Sequence, residues 1–97
     1  MDMEALMAQA QDLQTKINDA QNSLGNMHVK GIAENGMVVV DMTGKYEILS
    51  VAVSDAALAK GATAVSEMVT MACRDAKAKA DVLIDKTMSE ITGSLQQ

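Results

Sequence analysis

Phenylalanine and tryptophan are absent from this chain of 97 residues, and tyrosine and cysteine occur once each. Without large aromatic anchors the core must be built from Val, Ile, Leu, Ala and nine Met. A partner subunit would add considerably to the stability of such a core. Apart from Tyr46 there is no ring to stack on a base, which disfavours recognition of single-stranded nucleic acid. A lone cysteine, Cys73, cannot close an internal disulfide and suits a reducing cytoplasm. No run approaches the roughly 18 apolar residues of a membrane span. The opening "MDMEALMAQAQDLQTKINDA" carries acids near its front and no apolar run, so it does not read as a signal peptide. The expectation is a protein without membrane contact, soluble and cytoplasmic.

Basic residues are also scarce. Eight Lys and Arg face thirteen Asp and Glu, for a net charge of −5. That balance argues against strong phosphate binding by the whole surface but leaves room for a local basic patch. Residues 1–24 hold four acids and one base, Lys16. Residues 63–97 hold five acids and four bases: Arg74, Lys77, Lys79 and Lys86. The length fits a single domain over residues 1–97, burying roughly 60–65% of its unfolded surface.

Periodicity gives the order helix, meander, helix. From Met3 to Leu24 there is no Pro or Gly, and Leu6, Ala10, Leu13, Ile17, Ala20 and Leu24 recur at alternating spacings of four and three. That is a heptad-like seam on an amphipathic helix, stopped by Gly25-Asn26. Three strand-like runs follow: 27–33, 37–43 and 46–53. Asn35-Gly36 marks the first hairpin and Gly44-Lys45 the second. Val38, Val40 and Met42 alternate with Val39, Asp41 and Thr43, as a strand with one buried face requires. Short connections make an antiparallel meander the simplest topology. Ser54 or Asp55 caps a short helical turn that Gly61 ends. Thr63 then opens a long helix to about Thr92, ended by Gly93. Its apolar stripe is Val65, Val69, Ala72, Ala76, Ala80, Leu83, Ile84, Ile91 and Leu95.

Element lengths carry a further expectation. The long helix spans about 45 Å at 1.5 Å per residue. Three strands are only about 15 Å wide, and each is about 23 Å long. The helix therefore overhangs its sheet while still presenting Leu83, Ile84, Met88 and Ile91. The first helix, about 33 Å long, covers part of the overhang. A second copy of the chain is the natural cover for the remainder, so a homodimer is expected.

No constellation suggests catalysis. His28 stands alone, whereas a metal site needs three or four converging ligands. Cys73 lies at the edge of the apolar stripe without a base beside it, and Arg74 points about 100° away. Asp75 to Lys79 and Lys77 to Asp81 are four-residue spacings that suit surface ion pairs. From its residues alone, the helix with Arg74, Lys77, Lys79 and Lys86 reads as an ordinary solvated face. No cofactor-binding motif is present.

The order and spacing of several short pieces resemble the YbaB/EbfC family of bacterial nucleoid-associated proteins over about residues 5–92. The pieces are "LMAQAQDLQTKI", "VKGIAENGMVVVDMTGKYEILSVAV" and "MACRDAKAKA". The resemblance implies an α+β fold of the form α-β-β-β-α, with a three-stranded antiparallel meander flanked by two long helices. It also implies an intimate homodimer with projecting helices that binds double-stranded DNA in the nucleoid, without enzymatic activity or a cofactor. On that implication the DNA contacts are Lys16, Arg74, Lys77, Lys79 and Lys86, acting on phosphates. Family members often carry bases near Val39, Leu49 and Ser50, where this chain has none. A second expectation is therefore a dimeric structural or adaptor module that binds a protein partner.

Overall fold

The structure is a computed structural model that describes residues 2–95. Its elements are α1 (Met3–Asn26), β1 (His28–Ala33), β2 (Val38–Thr43), β3 (Ile48–Val53), α2 (Asp55–Leu58) and α3 (Ala62–Leu95). The strands form one antiparallel sheet in the order β1-β2-β3. The fold is α+β, α-β-β-β-α with the short α2 inserted before α3. The molecule measures 68 × 19 × 15 Å, because the helices run far past the sheet.

Local chemistry explains most boundaries. The Asp2 carboxylate accepts from the Glu4 N–H at 3.1 Å and caps α1. Ser54 Oγ does the same for α2, accepting from Ala57 N–H at 3.1 Å. Several sequence boundaries move. α1 continues through Gly25 to Asn26 rather than stopping there. The first hairpin is not a two-residue turn: Glu34, Asn35 and Gly36 all take positive φ, forming a left-handed turn closed by the Met37 N–H donating to the Glu34 carbonyl at 3.2 Å. β3 begins at Ile48 instead of residue 46, because Tyr46 takes φ 68° and belongs to the turn. Thr43 Oγ1 organises that turn by accepting the N–H groups of Lys45 and Glu47, each at 3.2 Å. α3 passes through Gly93 to Leu95. A helical glycine costs only about 1 kcal/mol against alanine, which a long packed helix absorbs. The side chain of Leu95, placed on the stripe by periodicity, lies outside the described residues.

The core lies between α3 and one face of the sheet. Val38, Val40 and Met42 on β2 and Ala33 on β1 meet Met68, Ala72, Ala76 and Ala80 on α3. The row of alanines lets the helix approach closely, and Gly31 opposite makes the approach closer still. A Cβ at Gly31 would stand 1.9 Å from the Ala72 carbonyl oxygen and 2.6 Å from the Ala76 nitrogen. Gly44 fixes the end of α1 in a similar way, its N–H donating to the Leu24 carbonyl at 2.9 Å.

Coverage of the sheet is lopsided. α3 packs on β1 and β2 and scarcely reaches β3. Val51 pairs with Val40 and Val53 with Val38, so these β3 residues share the core-facing side. Val51 nevertheless stays 44% exposed, and Ile48 50%. Beyond the sheet, α1 packs along the end of α3. There Leu83, Ile84, Met88 and Ile91 are half-buried and Ala20 and Leu24 are buried, as the expected overhang requires. The start of α1 carries the seam on without a cover: Met3, Leu6 and Met7 are all exposed.

Candidate nucleic-acid interface

The bases singled out from sequence do not share one surface. Successive helical residues turn by about 100°, so Lys77 and Lys79 diverge by about 160°. Lys79 and Lys86, seven apart, share one side of α3, about 10 Å from each other along the helix. Arg74 and Lys77, three apart, share the other side. Lys16 lies on α1, in a cleft of about 400 Å³ between α1 and α3 that Asp19, Thr87 and Glu90 also line.

Lys77 and Lys79 on α3 already have carboxylate partners. Lys79 Nζ sits 2.9 Å from Asp75 Oδ2 and donates to the Lys30 carbonyl at 2.6 Å. Asp75 Oδ2 in turn accepts the Ile32 N–H at 2.9 Å. Together the pair satisfies a donor and an acceptor on the outer edge of β1, which would otherwise be open to a further strand. Lys77 Nζ lies 3.2 Å from Asp81 Oδ2 and 5.5 Å from the centre of the Tyr46 ring. The Tyr46 hydroxyl donates to Asp81 Oδ1. Arg74 and Lys86 are exposed and make no hydrogen bond or ion pair among the described residues. Sequence spacing gave both ion pairs. It gave neither the backbone contacts of Asp75 and Lys79 nor the role of Tyr46, whose partner lies 35 residues away.

These contacts set the titration of the groups involved. The Ile32 N–H, and next Lys79, hold the Asp75 carboxyl below the usual carboxylate range. The Tyr46 hydroxyl, and next Lys77, do so for Asp81. Asp81 conversely raises the Tyr46 hydroxyl, which must stay protonated to donate. A depressed carboxyl stabilises the fold above its unfolded pKa near 4, and that stabilisation is lost as pH falls through the folded value. A raised tyrosine stabilises below its unfolded pKa near 10 and loses that contribution as pH rises through the folded value. Thermal unfolding followed against pH should therefore lose stability at both ends. Asp75→Asn should make the acid loss shallower, and Tyr46→Phe the alkaline loss. An Asp75→Asn profile parallel to that of the unaltered chain from pH 5 to 2 would contradict this assignment.

His28 and Cys73 build nothing further. His28 Nδ1 is 3.8 Å from Asp41 Oδ1 on the neighbouring strand. Cys73 is a free, half-buried thiol packed against the core. Among the described residues, no group of three or more His, Cys, Asp or Glu could hold a metal ion. No helix among them is long and apolar enough to cross a membrane.

Comparison with known proteins agrees with this fold. The chain is 34% identical to a nucleoid-associated protein of Bradyrhizobium diazoefficiens over 95 residues, covering 97% of this chain and 90% of that one. It is 37% identical to a nucleoid-associated protein of Rhodospirillum rubrum over 92 residues, covering 94% and 86%. The crystal structure of an uncharacterized protein from Helicobacter pylori shares the fold, with a TM-score of 0.74 at 14% identity over 100% of this chain and 99% of that one. The model of the YbaB/EbfC DNA-binding family matches residues 1–95. This chain belongs to the YbaB/EbfC DNA-binding family.

Proposed function

We propose that the chain is a non-enzymatic protein of the cytoplasmic nucleoid that binds double-stranded DNA as a homodimer, mainly through phosphates. The observation that carries this reading is the long α3 of a DNA-binding family member, which presents Arg74 and Lys86 to solvent without partners among the described residues. Lys16, Lys77 and Lys79 complete the proposed set. Lys77 and Lys79 must exchange an internal carboxylate for a phosphate, so they contribute less than Arg74 and Lys86.

The uncovered side of β3 supports the dimer. Ile48 and Val51 continue the apolar row of β2 onto a strand that no helix covers. The β1 edge is closed by Asp75 and Lys79, which leaves the β3 side for a second copy. Dimerisation sets two copies of these cations at a fixed spacing, which makes the local arrangement of bases, rather than net charge, the basis of phosphate contact.

Phosphate contacts displace condensed counterions, so affinity falls steeply with salt. Replacing Arg74 and Lys86 together by alanine should reduce the slope of log K against log salt by about 2 per chain. Fluorescence anisotropy with duplex DNA across a salt series reads this directly. An unchanged slope would remove both residues from the interface.

A second reading, a module that binds a protein, is favoured by the start of α1. That segment carries exposed Met3, Leu6 and Met7 among the acids Asp2, Glu4 and Asp12. Its face suits an amphipathic basic helix better than a phosphate backbone. Recovery of such a partner at fixed stoichiometry, with no DNA shift at low salt, would favour it.

A further inference from the structure

We infer that Asp81 holds Lys77 in reserve, so that a DNA phosphate must displace this carboxylate before Lys77 joins the interface. The inference rests on the DNA-binding reading above and adds a residue that sets its strength.

The geometry differs from that of an ordinary helical ion pair. Two exposed side chains four apart usually exchange freely with water, and the pairing is weak. Here the carboxylate is held from outside the helix. The Tyr46 hydroxyl donates to Asp81 Oδ1, leaving Oδ2 for Lys77 Nζ at 3.2 Å. Tyr46 is fixed in its turn at φ 68°, between Thr43 and Glu47. Its ring lies under the ammonium group, 5.5 Å from the centroid, and adds a cation–π attraction on the other side. Lys77 thus leaves both a carboxylate and a ring when it turns to a phosphate. Asp81 does not follow it, because the tyrosine retains it.

Lys77 is nevertheless within reach of a ligand. Its side chain is 64% exposed and that of Asp81 43%. Arg74 stands one turn earlier on the same side of α3, without a partner among the described residues. A phosphate drawn to Arg74 would arrive beside Lys77 and compete with Asp81 for it. The cluster therefore lowers affinity and makes the second contact conditional on the first.

A double-mutant cycle read by duplex DNA binding separates this account from a general effect of charge. Asp81→Asn keeps an acceptor for Tyr46 but removes the charge that holds Lys77. In the otherwise unaltered chain it should tighten binding by roughly threefold, the scale of one released surface ion pair. In a Lys77→Ala background that gain should shrink to the small effect of net charge alone, the effect that Asp85→Asn shows. Asp85→Asn makes the same change in net charge on the same helix and should tighten binding less. Circular dichroism confirms that each variant is folded.

An equal gain with and without Lys77, or equal gains from Asp81→Asn and Asp85→Asn, would show a simple field effect and overturn the inference. No gain from Asp81→Asn, where the unaltered chain binds, would overturn it alone. If neither the unaltered chain nor Asp81→Asn shifts DNA at about 50 mM salt, the DNA-binding reading fails and the inference falls with it.

Discussion

Replacing Gly31 by alanine is expected to be among the most destabilising single-methyl changes in this chain. The added Cβ would stand 1.9 Å from the Ala72 carbonyl oxygen, 2.6 Å from the Ala76 nitrogen and 2.7 Å from the Ala76 Cβ. The first two atoms are helix backbone, so no side-chain rotation relieves the contact. Either α3 lifts from β1 or the strand bends away. Both responses open the layer formed by Val40, Ala72 and Ala76, all fully buried. A cost of about 3 kcal/mol, the upper end of the usual overpacking range, is expected. For a domain of this size that lowers the melting midpoint by about 12 °C or more. Gly93→Ala is the matched control. A Cβ there meets nothing within 4 Å, and the residue lies inside α3. Alanine should be neutral or slightly stabilising at that position. Thermal unfolding of the two variants side by side checks the contrast. A Gly31→Ala midpoint within a degree or two of the unaltered chain would contradict the close helix–strand packing described here.

Val51→Asp should have its large effect on assembly rather than on folding. Val51 points to the core-facing side of β3, yet it is 44% exposed because α3 covers only β1 and β2. An aspartate there can reach water in a single chain, so a folded monomer should tolerate it. Beneath a second copy the same carboxylate would be buried without a partner, which is costly. The dimer dissociation constant should rise by roughly 100-fold. Light scattering coupled to size exclusion would then report a folded monomer, against the dimer proposed for the unaltered chain. DNA affinity should fall with it, because each monomer keeps only half of the cations. If Val51→Asp remains as dimeric as the unaltered chain, the β3 side is not the interface.

Much of this architecture can be read from residue spacing. The alternating four-and-three seam of α1 and the stripe from Val65 to Ile91 on α3 are regular because each covers a long, continuous apolar surface. The hairpins announce themselves through Asn35-Gly36 and Gly44. What spacing misses has a physical reason in each case. Glu34 and Tyr46 take positive φ, which residue type alone gives little reason to expect, so the turns are longer than they read. Gly31 looks like a weak point in a strand until α3 is laid against it. The candidate site is only half legible. Four-residue spacings reveal the ion pairs Asp75–Lys79 and Lys77–Asp81, because both partners sit on one helix. That Asp75 and Lys79 also close the β1 edge depends on packing between segments more than forty residues apart. The same holds for Tyr46, brought to Asp81 only when the β2–β3 turn meets α3.

Those contacts change the meaning of the basic cluster on α3. Of its four bases, two are engaged by carboxylates and two are not. Lys79 serves the fold first, since it holds the helix to the strand edge. Charge reversal at Lys79 would place two carboxylates together at β1 and confuse stability with binding. Arg74 and Lys86 are the cleaner probes. The fold supplies cations at two levels of availability, and an acidic chain with few bases depends on how many are free.

The central proposal is that the chain, as a homodimer, holds double-stranded DNA by its phosphates. Binding of a mixed-sequence duplex, measured from about 50 to 200 mM salt, tests it most directly. The account predicts a steep linear fall of log K with log salt, nearly the same for unrelated sequences. A slope near zero would contradict it, as would affinity confined to one sequence.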